Sequence, residues 1–152
     1  MAAAEILLTI SNPVLKAYLF HVSVLGLKML LMSPLTARQR FKHKIFISPE
    51  DAASMKGAKV KYDHPDIERV RRGHLNDLEN ITVFFIVALA YLLTNPSPGL
   101  AINLFRAFTT ARIGHTIVYC VIPIPQPTRF LFFFVGWAIT FFMAGSVILH
   151  CL

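Results

Sequence analysis

The sequence predicts an all-α integral membrane protein, a bundle of four hydrophobic helices. Three observations lead there. The 152 residues are 55% hydrophobic and their mean hydropathy is +0.59, above the roughly 45–50% apolar share of a soluble domain. Four segments approach or exceed the roughly 20 apolar residues a helix needs to cross hydrocarbon. Finally, most of the basic residues are gathered into one connection between those segments.

The first span is expected at residues 12–36. Its apolar run is interrupted by Lys16, His21 and Lys28. It has no basic leader and no small-residue cleavage site after it, so it reads as a retained span and not as a secretory signal. The second span is expected at 73–94 and ends where Asn95-Pro96-Ser97-Pro98-Gly99 breaks the chain. The third runs from 100 to 122, and Pro123, Pro125 and Pro127 close it. The fourth, 130–149, holds no Lys, Arg, Asp, Glu or His. The last two connections are short, so the helices they join should be antiparallel neighbours. The whole chain, 1–152, reads as one membrane domain.

The first connection, 38–72, carries ten Lys or Arg against five acids, a net of +5. By the positive-inside bias this loop is expected on the cytosolic side, with both termini opposite. The charge marks topology, and no nucleic-acid-binding signature accompanies it. Cys120 and Cys151 make no disulfide framework and read as reduced thiols near helix ends. No His/Cys spacing suggests a metal site. The small residues Gly136, Thr140 and Ala144 recur every fourth position, a stripe that permits close helix contact within the subunit or between subunits.

Ionisable residues inside spans face protein or a watery cavity. On the second helix Arg72, Asn76 and Glu79 fall on one stripe, at i, i+4 and i+7. On the third, Arg112, His115 and Tyr119 fall at i, i+3 and i+7, and Arg129 opens the fourth segment. Antiparallel packing lets Arg72, Asn76, Glu79, His115, Tyr119 and Arg129 converge near the cytosolic boundary, with Arg112 deeper. Such a group suits a small zwitterion or anion: arginine for carboxylates, Glu79 for an ammonium, Asn76 for amides as donor or acceptor. The competing reading is structural, with Glu79 paired to Arg112 or Lys28 to Asp77. Asp77 points away from the Arg72 stripe, which favours the structural role for Lys28 and Asp77. His21 and His74 alone are weak signals.

Several motifs then resemble one family in order and spacing. Glu68-Arg69-Val70-Arg71-Arg72-Gly73-His74-Leu75-Asn76-Asp77-Leu78-Glu79 is similar to the ERxxRxHxNDxE segment of the MAPEG family. Ser48-Pro49-Glu50-Asp51 resembles its NPED element, with Ser48 for Asn. The segment from Ala111 to Tyr119, and Pro125-Gln126-Pro127-Thr128-Arg129 followed by Phe133-Phe134-Val135-Gly136, resemble the microsomal glutathione transferase branch. The likeness covers nearly the whole chain.

The resemblance implies a four-helix subunit in a homotrimer, with glutathione bound between subunits near the cytosolic face. It implies glutathione contacts from Arg40, Arg72, His74, Asn76, Glu79, Arg112, His115, Tyr119 and Arg129, of which Arg40 and His74 come from the likeness alone. It implies an endoplasmic reticulum membrane, with the mitochondrial outer membrane as the alternative. Three positions depart. Leu75 and Phe130 stand where the prostaglandin E synthase branch has Arg and Ser, and Ala52 stands where some transferases have a reactive Cys.

The expected activity is conjugation of glutathione to lipophilic electrophiles, with glutathione-dependent reduction of lipid hydroperoxides beside it and no metal. Arg129 is the expected thiolate stabiliser, ahead of Arg112 and Tyr119. Two other readings stand: a glutathione-dependent prostaglandin endoperoxide isomerase, opposed by Leu75 and Phe130, and a non-catalytic membrane adaptor of the same fold.

Overall fold

In the computed structural model of the chain, residues 8–152 are described; residues 1–7 of the expected domain lie outside them. Four long helices pack side by side. α1 spans Pro13–His43. A short connection comes next, with β1 at Ile45–Phe46, α2 at Pro49–Ala53 and β2 at Lys59–Val60. α3 spans Pro65–Leu93, α4 spans Pro98–Thr116 and α5 spans Thr128–Cys151. α1 packs against both α3 and α4, and so does α5.

The helices begin where their caps dictate. Asn12 accepts hydrogen bonds from Val14 and Leu15, and Pro13 stands at the first helical position, where its missing N–H costs nothing. α3 and α4 also begin on proline, Pro65 and Pro98. Asp66 and Glu68 occupy the first turn of α3, at the positive end of its dipole. α1 ends on Lys44, whose left-handed backbone (φ 54°) returns its N–H to the carbonyls of Arg40 and Phe41.

Both helices flanking the basic connection outlast the apolar segments read from the sequence. α1 runs on through Pro34 and the basic stretch to His43, and α3 starts well before Gly73, at Pro65. The connection that is not long helix is therefore 44–64, much shorter than 38–72. β1 and β2 pair in parallel within it, Ile45 opposite Lys59 and Phe46 opposite Val60.

Among the described residues three helices are long and apolar enough to cross a membrane: α1, α3 and α5. The expected fourth, α4, falls short of that measure. It is 19 residues long and carries Asn103, Arg106, Arg112 and His115. The reason is its position. α4 buries Ala101, Phe105, Phe108, Thr109, Ala111, Arg112 and His115 against its neighbours, so Arg112 and His115 meet protein and not lipid, whereas Asn103 and Arg106 are exposed on the opposite side. α5 is the opposite case: most apolar by composition, it buries only Gly136 and Met143.

One half of the bundle is apolar. Leu25, Ile81, Phe84, Ala88, Phe105, Phe108 and Met143 form its centre. Phe84 and Phe108 stack with ring centroids 3.7 Å apart and planes 6° from parallel. The Tyr18 hydroxyl donates to the Phe85 carbonyl at 3.0 Å. Two glycines of the bundle differ in how tightly they are packed. A Cβ on Gly114 would meet the Phe132 ring, with Cζ at 2.7 Å and Cδ1 at 2.8 Å, which fixes α5 on α4. Arg112 Cδ and Phe108 Cε2 lie 3.5 Å from where a Cβ on Gly136 would be, an ordinary contact. Gly136 of the small-residue stripe thus packs inside the subunit.

A charged triad crosses the middle of the bundle. Asp77 of α3 accepts from Lys28 of α1 through one carboxylate oxygen. Through the other it accepts from Arg112 Nη2 of α4 at 2.7 Å. Asp77 and Arg112 are both 0% exposed. The pairing of Lys28 with Asp77 agrees with the sequence reading, whereas Arg112 takes Asp77 and not Glu79.

Removing one member of such a group strands buried charge. Asp77→Asn should destabilise the protein by about 3–5 kcal/mol, read as denaturant-induced unfolding in micelles. Glu68→Ala, which removes a surface pair with Arg71 and a first-turn carboxylate, should cost only about 1 kcal/mol. Equal effects would show that the triad is not a stabilising constraint.

Candidate functional site

The polar stripes meet around a cavity of about 450 Å³ lined by Arg72, Leu75, Asn76, Glu79, His115, Tyr119, Gln126, Arg129, Phe130 and Phe133. α3 supplies the first four. They lie on adjacent positions of one face because three- and four-residue steps bring side chains back to the same side of a helix. α4 supplies His115. α5 and the turn before it supply the last four.

Tyr119 arrives by a local irregularity. After Thr116 the backbone of α4 widens into a π-helical turn, Ile117–Val121, marked by the Ile122 N–H bond to the Ile117 carbonyl at 2.8 Å. The wider turn holds one more residue than an α-helical turn and so shifts the direction of its side chains, a common device at functional sites. The Tyr119 hydroxyl accepts from Arg72 Nε at 3.2 Å. Its ring lies under the Arg129 guanidinium, 4.5 Å from centroid to Cζ, and its centroid is 5.7 Å from that of His115. One tyrosine therefore joins the two arginines of the cavity.

Arg129 sits in the first turn of α5. The Phe130 N–H of that turn donates to the Gln126 side-chain oxygen at 3.2 Å. Among the described residues neither Arg129 nor Arg72 has a carboxylate partner, and Glu79 has no cation partner. Their charges are held in the cavity wall without being neutralised by one another.

Arg112 lies beneath this wall. Besides Asp77 it bonds Asn76 Oδ1, at 2.8 Å. That contact decides the polarity of Asn76. One lone pair of its oxygen is engaged there, which turns its N–H₂ group outward as the donor toward a ligand. Arg112 Nε and Nη1 and His115 Nδ1 are buried with no hydrogen-bond partner among the described residues, an uncommon condition that bound water or ligand relieves.

Six of the nine expected residues thus line one cavity: Arg72, Asn76, Glu79, His115, Tyr119 and Arg129. Arg112 supports it from below. Arg40 and His74 lie elsewhere, in a second cavity of about 400 Å³ lined also by Ser33, Thr36, Ala37, Ile47, Asp51 and Arg71. His74 is two positions from Arg72, and helix geometry turns it to another face. Gln126 and Phe133 belong to the first cavity and carried no separate signal beyond their place in the Pro125–Gly136 motif. Leu75 and Phe130, the departures from the prostaglandin E synthase branch, both stand in its wall. Next to it a groove of about 320 Å³, which shares Glu79, is lined by Asn80, Val83, Val87, Trp137, Thr140, Phe141 and Ala144. Phe130, Phe134, Trp137 and Phe141 form an exposed stacked ladder along it, with successive centroids 5.8, 5.9 and 5.2 Å apart.

The chain is similar to known proteins over most of its length. The chain is 45% identical over 145 residues to microsomal glutathione S-transferase 1 of Mus musculus, covering 93% of each chain. It is 47% identical over 137 residues to the Homo sapiens protein of that name, covering 88% of each. It is 35% identical over 112 residues to prostaglandin E synthase of Homo sapiens, covering 74% of each. The family model described as MAPEG matches residues 18–149, and the chain belongs to the MAPEG family.

Proposed function

We propose that this chain is a membrane-bound glutathione transferase that conjugates glutathione to lipophilic electrophiles. The observation that carries the reading is the cavity where two arginines without carboxylate partners face an unpaired Glu79, at the edge of an apolar groove. Glutathione has the matching charges: two carboxylates, one ammonium, two amides and a thiol. Arg72 and Arg129 answer anionic groups, Glu79 answers the ammonium, and Asn76 donates to an amide carbonyl. The adjoining groove with Trp137 and Phe141 offers an apolar partner its place. Identity to the two transferases exceeds identity to the prostaglandin E synthase. Leu75 and Phe130 in the cavity wall also support transferase over isomerase.

The chemistry needs a thiolate. A free thiol has a pKa of about 8.5, and nearby cations and helix N-termini lower it. Arg129 combines both influences, since it stands in the first turn of α5 with the positive end of that helix beside it. It also stays charged away from water. The thiolate sulfur then attacks the electrophilic carbon and the leaving group departs with the bonding pair. With a hydroperoxide the same thiolate attacks oxygen: the hydroperoxide becomes alcohol and water, and two glutathiones become their disulfide.

The chain acts as a homotrimer in this reading, with α4 as a fourth span and the basic connection on the cytosolic side of the endoplasmic reticulum membrane. The separate placement of Arg40 and His74 supports the trimer. They sit on a different face of the subunit from the first cavity, where they serve a neighbour's glutathione.

Three outcomes test this. Purified protein with glutathione should consume chlorodinitrobenzene and cumene hydroperoxide; inertness toward both, beside an active control enzyme, removes the transferase reading. Arg129→Leu should lower kcat roughly a hundredfold and diminish the thiolate absorbance of bound glutathione. A normal absorbance and rate in folded protein assigns that role elsewhere. Sedimentation equilibrium in detergent should give three copies per particle, and Arg40→Ala should weaken glutathione binding roughly tenfold. A monomer that still binds glutathione, or unchanged affinity in the variant, argues against a shared site.

A further inference from the structure

Away from the cavity, the basic end of the bundle brings together three metal-competent side chains that are scattered in the sequence. His43 is the last residue of α1, His64 precedes α3 and Asp66 is in its first turn. One ring nitrogen from each histidine and a carboxylate oxygen of Asp66 all lie within 4.8 Å of one another. The His43 and His64 rings adjoin at a tilt, with centroids 4.1 Å apart and planes 37° from parallel.

An ordinary ion pair accounts poorly for this arrangement. His43 Nε2 lies 3.1 Å from Asp66 Oδ2, yet it has no aligned hydrogen bond. His64 Nδ1 is also buried and without a partner among the described residues. A partnerless imidazole nitrogen next to a second one that is poorly aligned on its carboxylate is uncommon in a folded protein unless something satisfies them. The second Asp66 oxygen, Oδ1, accepts from Arg69 Nη1 at 3.2 Å. That bond orients the carboxylate in the manner of an outer-shell partner and leaves Oδ2 to the histidines.

We propose that His43, His64 and Asp66 form a binding site for a divalent transition metal of the zinc class. Two imidazoles and one carboxylate are a borderline donor set that favours zinc over calcium or magnesium. Donors bound at about 2.0–2.1 Å in a tetrahedral shell stand about 3.4 Å apart. The His43–Asp66 separation is already close to that value, and His64 lies within 4.8 Å of both. Water completes the fourth position. The metal would tie the end of α1 directly to the start of α3 and close the connection 44–63 between them. The surrounding lysines and arginines oppose a cation, so affinity rests on the two nitrogens. The site shares no residue with the glutathione cavity and stands or falls independently of it.

The test uses the full-length protein in detergent, stripped with chelator and titrated with Zn²⁺ against a competing chelator, and with Co²⁺ as a spectroscopic probe. The expected result is one Zn²⁺ per chain, a visible cobalt spectrum of tetrahedral type, and protease resistance of 44–63 that rises with metal. His64→Asn and, separately, Asp66→Asn should each weaken Zn²⁺ binding roughly tenfold or more. Sedimentation should confirm that both variants fold, and the transferase rate should stay unchanged. The proposal is overturned if the wild-type chain binds no Zn²⁺ at competing chelator concentrations. It is equally overturned if binding is the same in His64→Asn and Asp66→Asn as in the wild type, which would place the metal elsewhere.

Discussion

Asp77, fully buried, holds two cations, and the rest of the bundle is arranged around that fact. Neither Lys28 nor Arg112 could stay charged in a hydrocarbon-facing interior alone. Each carboxylate oxygen takes one of them, so α1, α3 and α4 meet at a single side chain. A buried ion triad adds little stability compared with apolar packing of the same volume. Its contribution here is register. A shift of α4 by one turn would leave Arg112 without Asp77.

The constraint passes directly into the cavity. The guanidinium that is anchored on Asp77 also holds Asn76, and Asn76 lies between Arg72 and Glu79 on the same face of α3. The wall is therefore built in two layers. The lower layer is neutralised internally and fixes geometry. The upper layer of Arg72, Glu79 and Arg129 keeps its charge available, with Tyr119 as the hinge between its two cations. This division explains how neighbouring acids of one helix, Asp77 and Glu79, differ in kind. Two residues apart, they face opposite sides of α3.

Much of this was legible in the sequence, because helical spacing is a strong constraint. Arg72, Asn76 and Glu79 had to share a face, and short antiparallel connections had to bring His115 and Arg129 alongside. The rest depended on information that spacing does not contain. Whether Arg112 would choose Asp77 or Glu79 turned on the relative rotation of α3 and α4, set by contacts such as Phe84 on Phe108. The π-helical turn at Tyr119 breaks the period that placed it, though the residue still reaches the same cavity. The ends of α1 and α3 lie beyond the reach of hydropathy, because a helix needs no apolar face once it leaves lipid. His43, His64 and Asp66 were invisible as a group, since only the folded connection brings them together.

The polarity of α4 also bears on how the protein is made. At the centre of a bilayer an arginine costs an inserting helix about 2.5–3.5 kcal/mol, and α4 carries Arg106 and Arg112. Such a segment partitions poorly as a solitary helix. The connection 94–97 is too short for α3 and α4 to enter separately, and Asp77 on α3 already carries the counter-charge for Arg112. The charge match between α3 and α4 therefore exists only in the hairpin, not in either helix alone. Apolar α5 comes after them and seals the outer side. A solitary α4 would carry Arg112 without its counter-charge, and folding back on α3 is what supplies it.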